Sequence, residues 1–171
     1  MRIDGLGELT ADEHIEEWLA SKPVPVPYFD GLPLRFAFVG LSYDPTPEEF
    51  SDAFASFMKL TPNDRKAAST FVYKNYKEFM DAVEPEHLEC EIVTPEDVWE
   101  HVCPTEVFVG RRHRRDRKVY VQITAECTWE QEHGLQVAYR DGRTLSRVSD
   151  QDGHLTHTDA YAVPESDDRI C

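Results

Sequence analysis

The chain has 171 residues and a formal net charge of −15, with 40% hydrophobic, 30% charged and 11% aromatic residues. That length suits one domain that can bury a core without a disulfide or metal. The nine Phe, seven Tyr and three Trp exclude a disordered polar chain, because these side chains supply large buried area.

The charge is uneven. Residues 1–100 hold 8 Lys+Arg against 21 Asp+Glu, and residues 101–171 hold 10 against 12. Such a surface repels nucleic-acid phosphates and anionic lipid and attracts basic partners. Solubility alone can account for such a charge; as a partner, a basic protein is expected, with no nucleic acid and no membrane. Four cysteines at 90, 103, 127 and 171 show no C-x-x-C spacing. The start Met-Arg-Ile-Asp-Gly lacks the apolar run of a signal peptide. Four free thiols and a cytoplasmic location are expected.

In chain order, Thr10 and Glu13 form a capping-box pattern, and Ile15, Trp18 and Leu19 fall at helical spacing, so a helix is predicted over 11–20. Residues 23–40 read as a β-hairpin turning at Asp30-Gly31, with Pro23, Pro25 and Pro27 confining its first strand to a sheet edge. Thr46-Pro47 with Glu49, and then Thr61-Pro62 with Asp64, open two helices near 47–59 and 62–83. Their aromatic stripes are core faces, and the short break makes an αα-hairpin. A third Thr-Pro start at Thr94-Pro95 predicts a short helix that ends at Pro104.

Beyond Pro104 the period changes from 3.6 to 2. Val107 and Val109, then 119–127, then 135–139, then 143–149 read as antiparallel strands, with a bulge expected in the last. The tail past about 163 is polar and should fray. The reading is a single α+β domain over 1–171. A mainly helical part with a hairpin (1–103) packs on an antiparallel meander (104–163), and a tail (164–171) follows.

The densest motif is Cys127-Thr-Trp129-Glu130-Gln-Glu132-His133-Gly134-Leu135. It resembles the C-x-W-x-x-E-H-G-L signature of an uncharacterised bacterial domain family, and residues 97–159 are similar to that domain. The family has no established reaction. Some of its members stand near toxin–immunity genes, so the resemblance implies an immunity role by association. From the residues themselves three readings stay open. Trp129 can plug the core edge, Gly134 can take positive φ, and Glu132 and His133 can bond loop backbone. Alternatively Trp129, Glu132 and His133 bind a partner. Thirdly, Glu132 with His133, or Cys127 with His133, could serve acid–base or nucleophilic chemistry.

Two more runs stand out. Asp150-Gln-Asp152-Gly153-His154 with His157 and Asp159 looks like half a calcium loop, but Tyr161 stands where an EF-hand needs Glu. A hairpin turn without metal is the expectation. The basic run Arg111–Lys118 reads as a solvated loop between strands, with protein docking and nucleic-acid binding as its alternatives. No P-loop, G-x-G-x-x-G, G-x-S-x-G or H-E-x-x-H occurs. No catalytic residue, metal or cofactor is assigned. The leading function is a non-enzymatic protein-binding module, in its specific form an immunity-type inhibitor of a toxin domain. The alternatives are an enzyme or metal-binding domain built on Glu132, His133 and 150–159, and an acidic nucleic-acid mimic.

Overall fold

The computed structural model describes residues 1–83 and 91–170. The elements in order are β1 (Arg2–Ile3), β2 (Gly7–Glu8), β3 (Thr10–Ala11), β4 (Leu19–Ala20), β5 (Val24–Val26), β6 (Leu32–Leu34), β7 (Phe36–Val39), α1 (Glu48–Phe57) and α2 (Pro62–Ala82). A 3₁₀ helix (Pro95–His101) leads into β8 (Val102–Arg111), β9 (Val119–Cys127), β10 (Leu135–Arg140), β11 (Thr144–Ser149) and α3 (His157–Tyr161). Among the described residues, seven strands form one mixed sheet in the order β11-β10-β9-β8-β7-β4-β3, and two two-stranded pairs, β1-β2 and β5-β6, lie outside it.

The α+β class holds. The four C-terminal strands run antiparallel, as their alternation predicts. They are not a separate meander, however, because β7 joins the same sheet parallel to β8, with Phe36 opposite Val107. The helical pair therefore sits inside a crossover between two neighbouring strands. α1 turns Phe50, Ala53, Phe54 and Phe57 inward, and α2 turns Ala68, Val72 and Tyr76 inward. Phe54 meets Phe36 of the sheet edge to face at 5.0 Å.

Several local expectations are corrected. Residues 11–20 are not a helix. Asp12 Oδ1 accepts the N–H groups of His14 and Ile15, and its other oxygen pairs with Arg35. That turn brings Thr10 opposite Ala20 as paired strands and lays Trp18 against Phe108 at 5.8 Å. The turn is made by Asp12, a residue outside the Thr10–Glu13 pattern, and Thr10 lies in a strand.

The 23–40 hairpin is shorter than expected. β5 and β6 pair Val26 with Leu32 around a 3₁₀ turn over Pro27–Phe29, with Asp30 and Gly31 both at positive φ. The chain then leaves to build β7. At the start of α1, Thr46 and Glu49 do not form a capping box. Both bind Arg111, through Thr46 Oγ1 at 2.8 Å and Glu49 Oε2 at 2.6 Å. Asp64 does close the start of α2, accepting the Thr61 N–H at 2.7 Å.

Pro104 does not end a helix. It lies inside β8, where the ladder slips between Pro104 and Glu106, a bulge that accommodates a residue without an N–H. The other bulge falls between Ala138 and Tyr139, leaving Ser146 of β11 as the extra residue. Ser146 Oγ bonds the Ala138 carbonyl. The tail is tied down as far as Asp168, whose carboxylate accepts the Thr158 N–H at 3.2 Å. Among the described residues, no helix is long and apolar enough to cross a membrane.

Candidate functional site

The site grows from the ladder between β8 and β9. Val102 stands opposite Cys127 and Cys103 opposite Glu126, and Thr128 N donates to the His101 carbonyl one step further on. Side chains alternate across a strand, so His101, Cys103, Glu126 and Thr128 share one face while Cys127 points into the core. Thr128 Oγ1 and His101 Nδ1 are 3.2 Å apart.

The loop 127–134 closes this face, and most of its signature residues hold it in shape. Cys127 Sγ donates to the Glu130 carbonyl at 3.4 Å. Trp129 is 2% exposed, packs on Tyr76 of α2 at 5.8 Å and donates its Nε1–H to Asn75 at 3.1 Å. Gly134 has φ +64°, and a Cβ there would stand 2.6 Å from the Ala125 carbonyl oxygen. Leu135 is fully buried at the start of β10. The structural roles expected of Trp129 and Gly134 are thus present.

Of the readings open for Glu132 and His133, the loop-bonding one is not met. The loop amides are satisfied by Glu130, whose Oε1 accepts the N–H groups of Glu132 and His133 at 2.8 and 3.1 Å. Glu132 and His133 themselves are exposed, and the His133 side chain keeps 62% of its surface. A Cys127–His133 nucleophile pair would lack an available thiolate. The thiol is buried, spent on Glu130, and pushed up to about 11 by that burial.

These residues border a groove of about 660 Å³ whose lining includes Glu100, His101, Cys103, Glu126, Glu132 and His133. Glu130 adds a fourth carboxylate at its floor, and the lining contains no Lys or Arg. The groove is strongly negative and carries two imidazoles. Sequence reading found Glu132 and His133 but missed Glu100, His101 and Glu126. The period-2 pattern does place Glu126 on the polar face of β9, but only the ladder register brings it beside the loop.

The 150–159 loop commits its acids elsewhere. Asp152 pairs with Arg147 at 2.5 Å and accepts the N–H of His154 at 2.9 Å in a local side-chain turn, but the expected hairpin does not form, because the segment after β11 leads into α3 instead of a returning strand. Asp159 binds Arg112, and the His157 ring lies 4.5 Å from that of Tyr161. Among the described residues, no three His, Cys, Asp or Glu side chains are grouped to hold a metal ion.

The run Arg111–Lys118 is not merely a solvated loop. Arg111 forks onto Asp44, with Nε at 2.6 Å and Nη2 at 2.9 Å, and Arg112 forks onto Asp159 at 2.7 and 2.8 Å. The Arg112 side chain is 4% exposed. Hydrogen bonding from Arg111 holds the Asp44 carboxyl below its usual range. Burial works against the Asp159 charge, but the hydrogen bond and charge of Arg112 outweigh it and lower that carboxyl too. Consecutive arginines in extended chain point to opposite faces, so one clamps the start of α1 and the other the C-terminal segment.

No curated protein and no solved structure matches the chain. One family model does, across residues 5–155, which takes in α1 and α2, the whole seven-stranded sheet and the groove loop. The chain therefore belongs to the DUF6985 family, a domain of unknown function.

Proposed function

We propose that this protein is a non-enzymatic protein-binding module whose acidic groove receives a basic segment of a partner. One observation carries the reading: within a loop whose other signature residues are spent on its own structure, Glu132 and His133 face solvent on the wall of a groove lined by carboxylates and by no cation. A loop braced by its own side chains that presents exposed polar groups meets the requirement for a preorganised interface. Electrostatic complementarity would speed and orient the approach of a basic partner. In its specific form the module is an immunity-type inhibitor and the partner a basic toxin domain, which accords with the net charge of −15.

The test is a titration with a short Lys/Arg peptide, followed by fluorescence anisotropy at two salt concentrations. Triple substitution E100Q/E126Q/E132Q is expected to weaken binding by tenfold or more. A charge-matched control, E13Q/E16Q/E17Q on the exposed turn before β4, is expected to leave it within about twofold, because exposed charges further away than a Debye length of roughly 8–10 Å are screened. Equal losses in both triples would show a bulk charge effect and overturn the groove as the site.

A further inference from the structure

At the far end of β8 from the groove, the chain has built a second receptor and filled it with its own residues. Arg112 sends Nε and Nη2 to the two oxygens of Asp159, and Nη2 reaches Thr156 Oγ1, Thr158 Oγ1 and Glu165 Oε1, each at 3.1 Å. Arg115 adds Glu165 Oε1 and the Val163 carbonyl, both at 3.0 Å. All of these acceptors lie at 156 or beyond, past the family match, which ends at 155. Within residues 5–155, and among the described residues, the Arg112 guanidinium faces one carboxylate, Asp116 at 3.4 Å. Asp116 is shared with the Tyr120 hydroxyl and the Lys118 N–H. With residues 156–168 in place the Arg112 side chain is 4% exposed; a guanidinium held this far from water needs counter-charge, and most of that charge comes from a segment outside the matched residues 5–155.

We propose that Arg112 and Arg115 form a docking site for an acidic, threonine-bearing peptide segment, and that residues 156–168 of the same chain occupy it in cis. The planar fork of Arg112 reads a carboxylate through two parallel bonds, the Thr156 and Thr158 hydroxyls gather around the same Nη2, and Arg115 takes the second carboxylate. Residues 156–168 carry four acids, Asp159, Glu165, Asp167 and Asp168, and no Lys or Arg, so the segment's net charge is opposite to that of the arginines. An acidic segment from another protein could take this place only by displacing the resident one. The site is separate from the acidic groove and prefers the opposite charge, so either reading can fail without the other.

The experiment uses the full chain and a labelled synthetic peptide of residues 155–170. The wild-type protein is expected to show no binding up to ~1 mM, since a tethered occupant competes at millimolar effective concentration. Substitution D159N/E165Q weakens the resident segment, and this variant is expected to bind the peptide at least tenfold more tightly than wild type. Adding R115Q, at a position 30% exposed and so tolerant of change, should reverse that gain, as should raised salt. A D159N/E165Q protein that keeps its cooperative unfolding transition but does not bind the peptide would overturn the proposal. So would binding that survives R115Q, which would place it elsewhere. Loss of the cooperative transition in D159N/E165Q would make the segment an integral part of the fold and overturn it equally.

Discussion

Glu130 holds His133 at two points: one carboxylate oxygen accepts its backbone N–H at 3.1 Å, and the other stands 3.7 Å from its ring Nδ1. The buried acid shapes the loop while the exposed imidazole it positions is left available. Four substitutions should separate these duties. Trp129→Ala should lower stability by about 3–5 kcal/mol, as buried aromatic truncations do. Glu130→Ala, which orphans two amides, should cost roughly 1–3 kcal/mol. Gly134→Ala should cost more than about 1 kcal/mol, because positive φ and collision with the Ala125 carbonyl add. Glu132→Ala should stay within ~0.5 kcal/mol. Denaturant melts check the order, and a Glu132 variant as unstable as the Glu130 variant would contradict this division of labour.

Arg111 and Asp44 set an acid limit. The folded state holds Asp44 and Asp159 below their ordinary value of 3.8. Their contribution is therefore complete above that value and is lost as pH falls toward the lower folded-state values. Urea midpoints measured through this range should drop steeply in the native protein. Asp44→Asn should reduce stability near neutrality by roughly 1.5–3 kcal/mol, the worth of a charged hydrogen bond, and should flatten the acid slope. An unchanged slope would remove Asp44 from the account.

An alkaline limit arises in the core. The hydroxyls of Tyr28 and Tyr139 share a buried hydrogen bond of 2.9 Å. Burial, and then Tyr139, push Tyr28 well up, and burial pushes Tyr139 to about 12. Neutral phenols favour the folded state, so this contribution is complete below 10.0 and disappears as pH rises through about 12. Phenolate absorbance should show these tyrosines ionising together with unfolding rather than before it. Tyr139→Phe orphans the Tyr28 hydroxyl and should cost about 1–3 kcal/mol.

The two described cysteines, both free thiols, should differ in reactivity. Cys103 is exposed and Cys127 buried. Maleimide labelling of native protein, mapped by peptide mass, should modify Cys103 within minutes and Cys127 only on denaturation. Rapid native labelling at Cys127 would mean the 127–134 loop opens readily. Cys90 and Cys171, included in the expectation of four thiols, lie outside the described residues.

What was legible in the residues was whatever local periodicity alone determines. The alternation of 119–127 and the stripes of α1 and α2 each bury one face against a core, and the strands and helices follow. Several exceptions share a cause: the deciding partner is remote. Glu49 looks like a capping residue until Arg111, 62 positions away, claims it. Asp12 looks like part of a helix start until Arg35 fixes it. The same holds for the site. Glu132 and His133 were visible in the motif, but Glu126 and His101 joined them only through the β8–β9 register. Glu130 took the backbone-bonding role because it sits two and three residues before the amides it binds.

The parallel pairing of β7 with β8 has a consequence for synthesis. Phe36, Ala37 and Phe38 are fully buried, yet the strand that covers one of their edges starts at Val102. During translation, which proceeds at roughly 5–20 residues per second, β7 can find β4 but waits several seconds with its other edge open. A ribosome that stalls, or a message truncated before β8, would release a chain with an apolar strand edge and nothing to pair it. Such an edge templates association with other chains, so abortive products of this gene should be recovered as aggregates or as chaperone clients, whereas in the completed chain β8 pairs that edge.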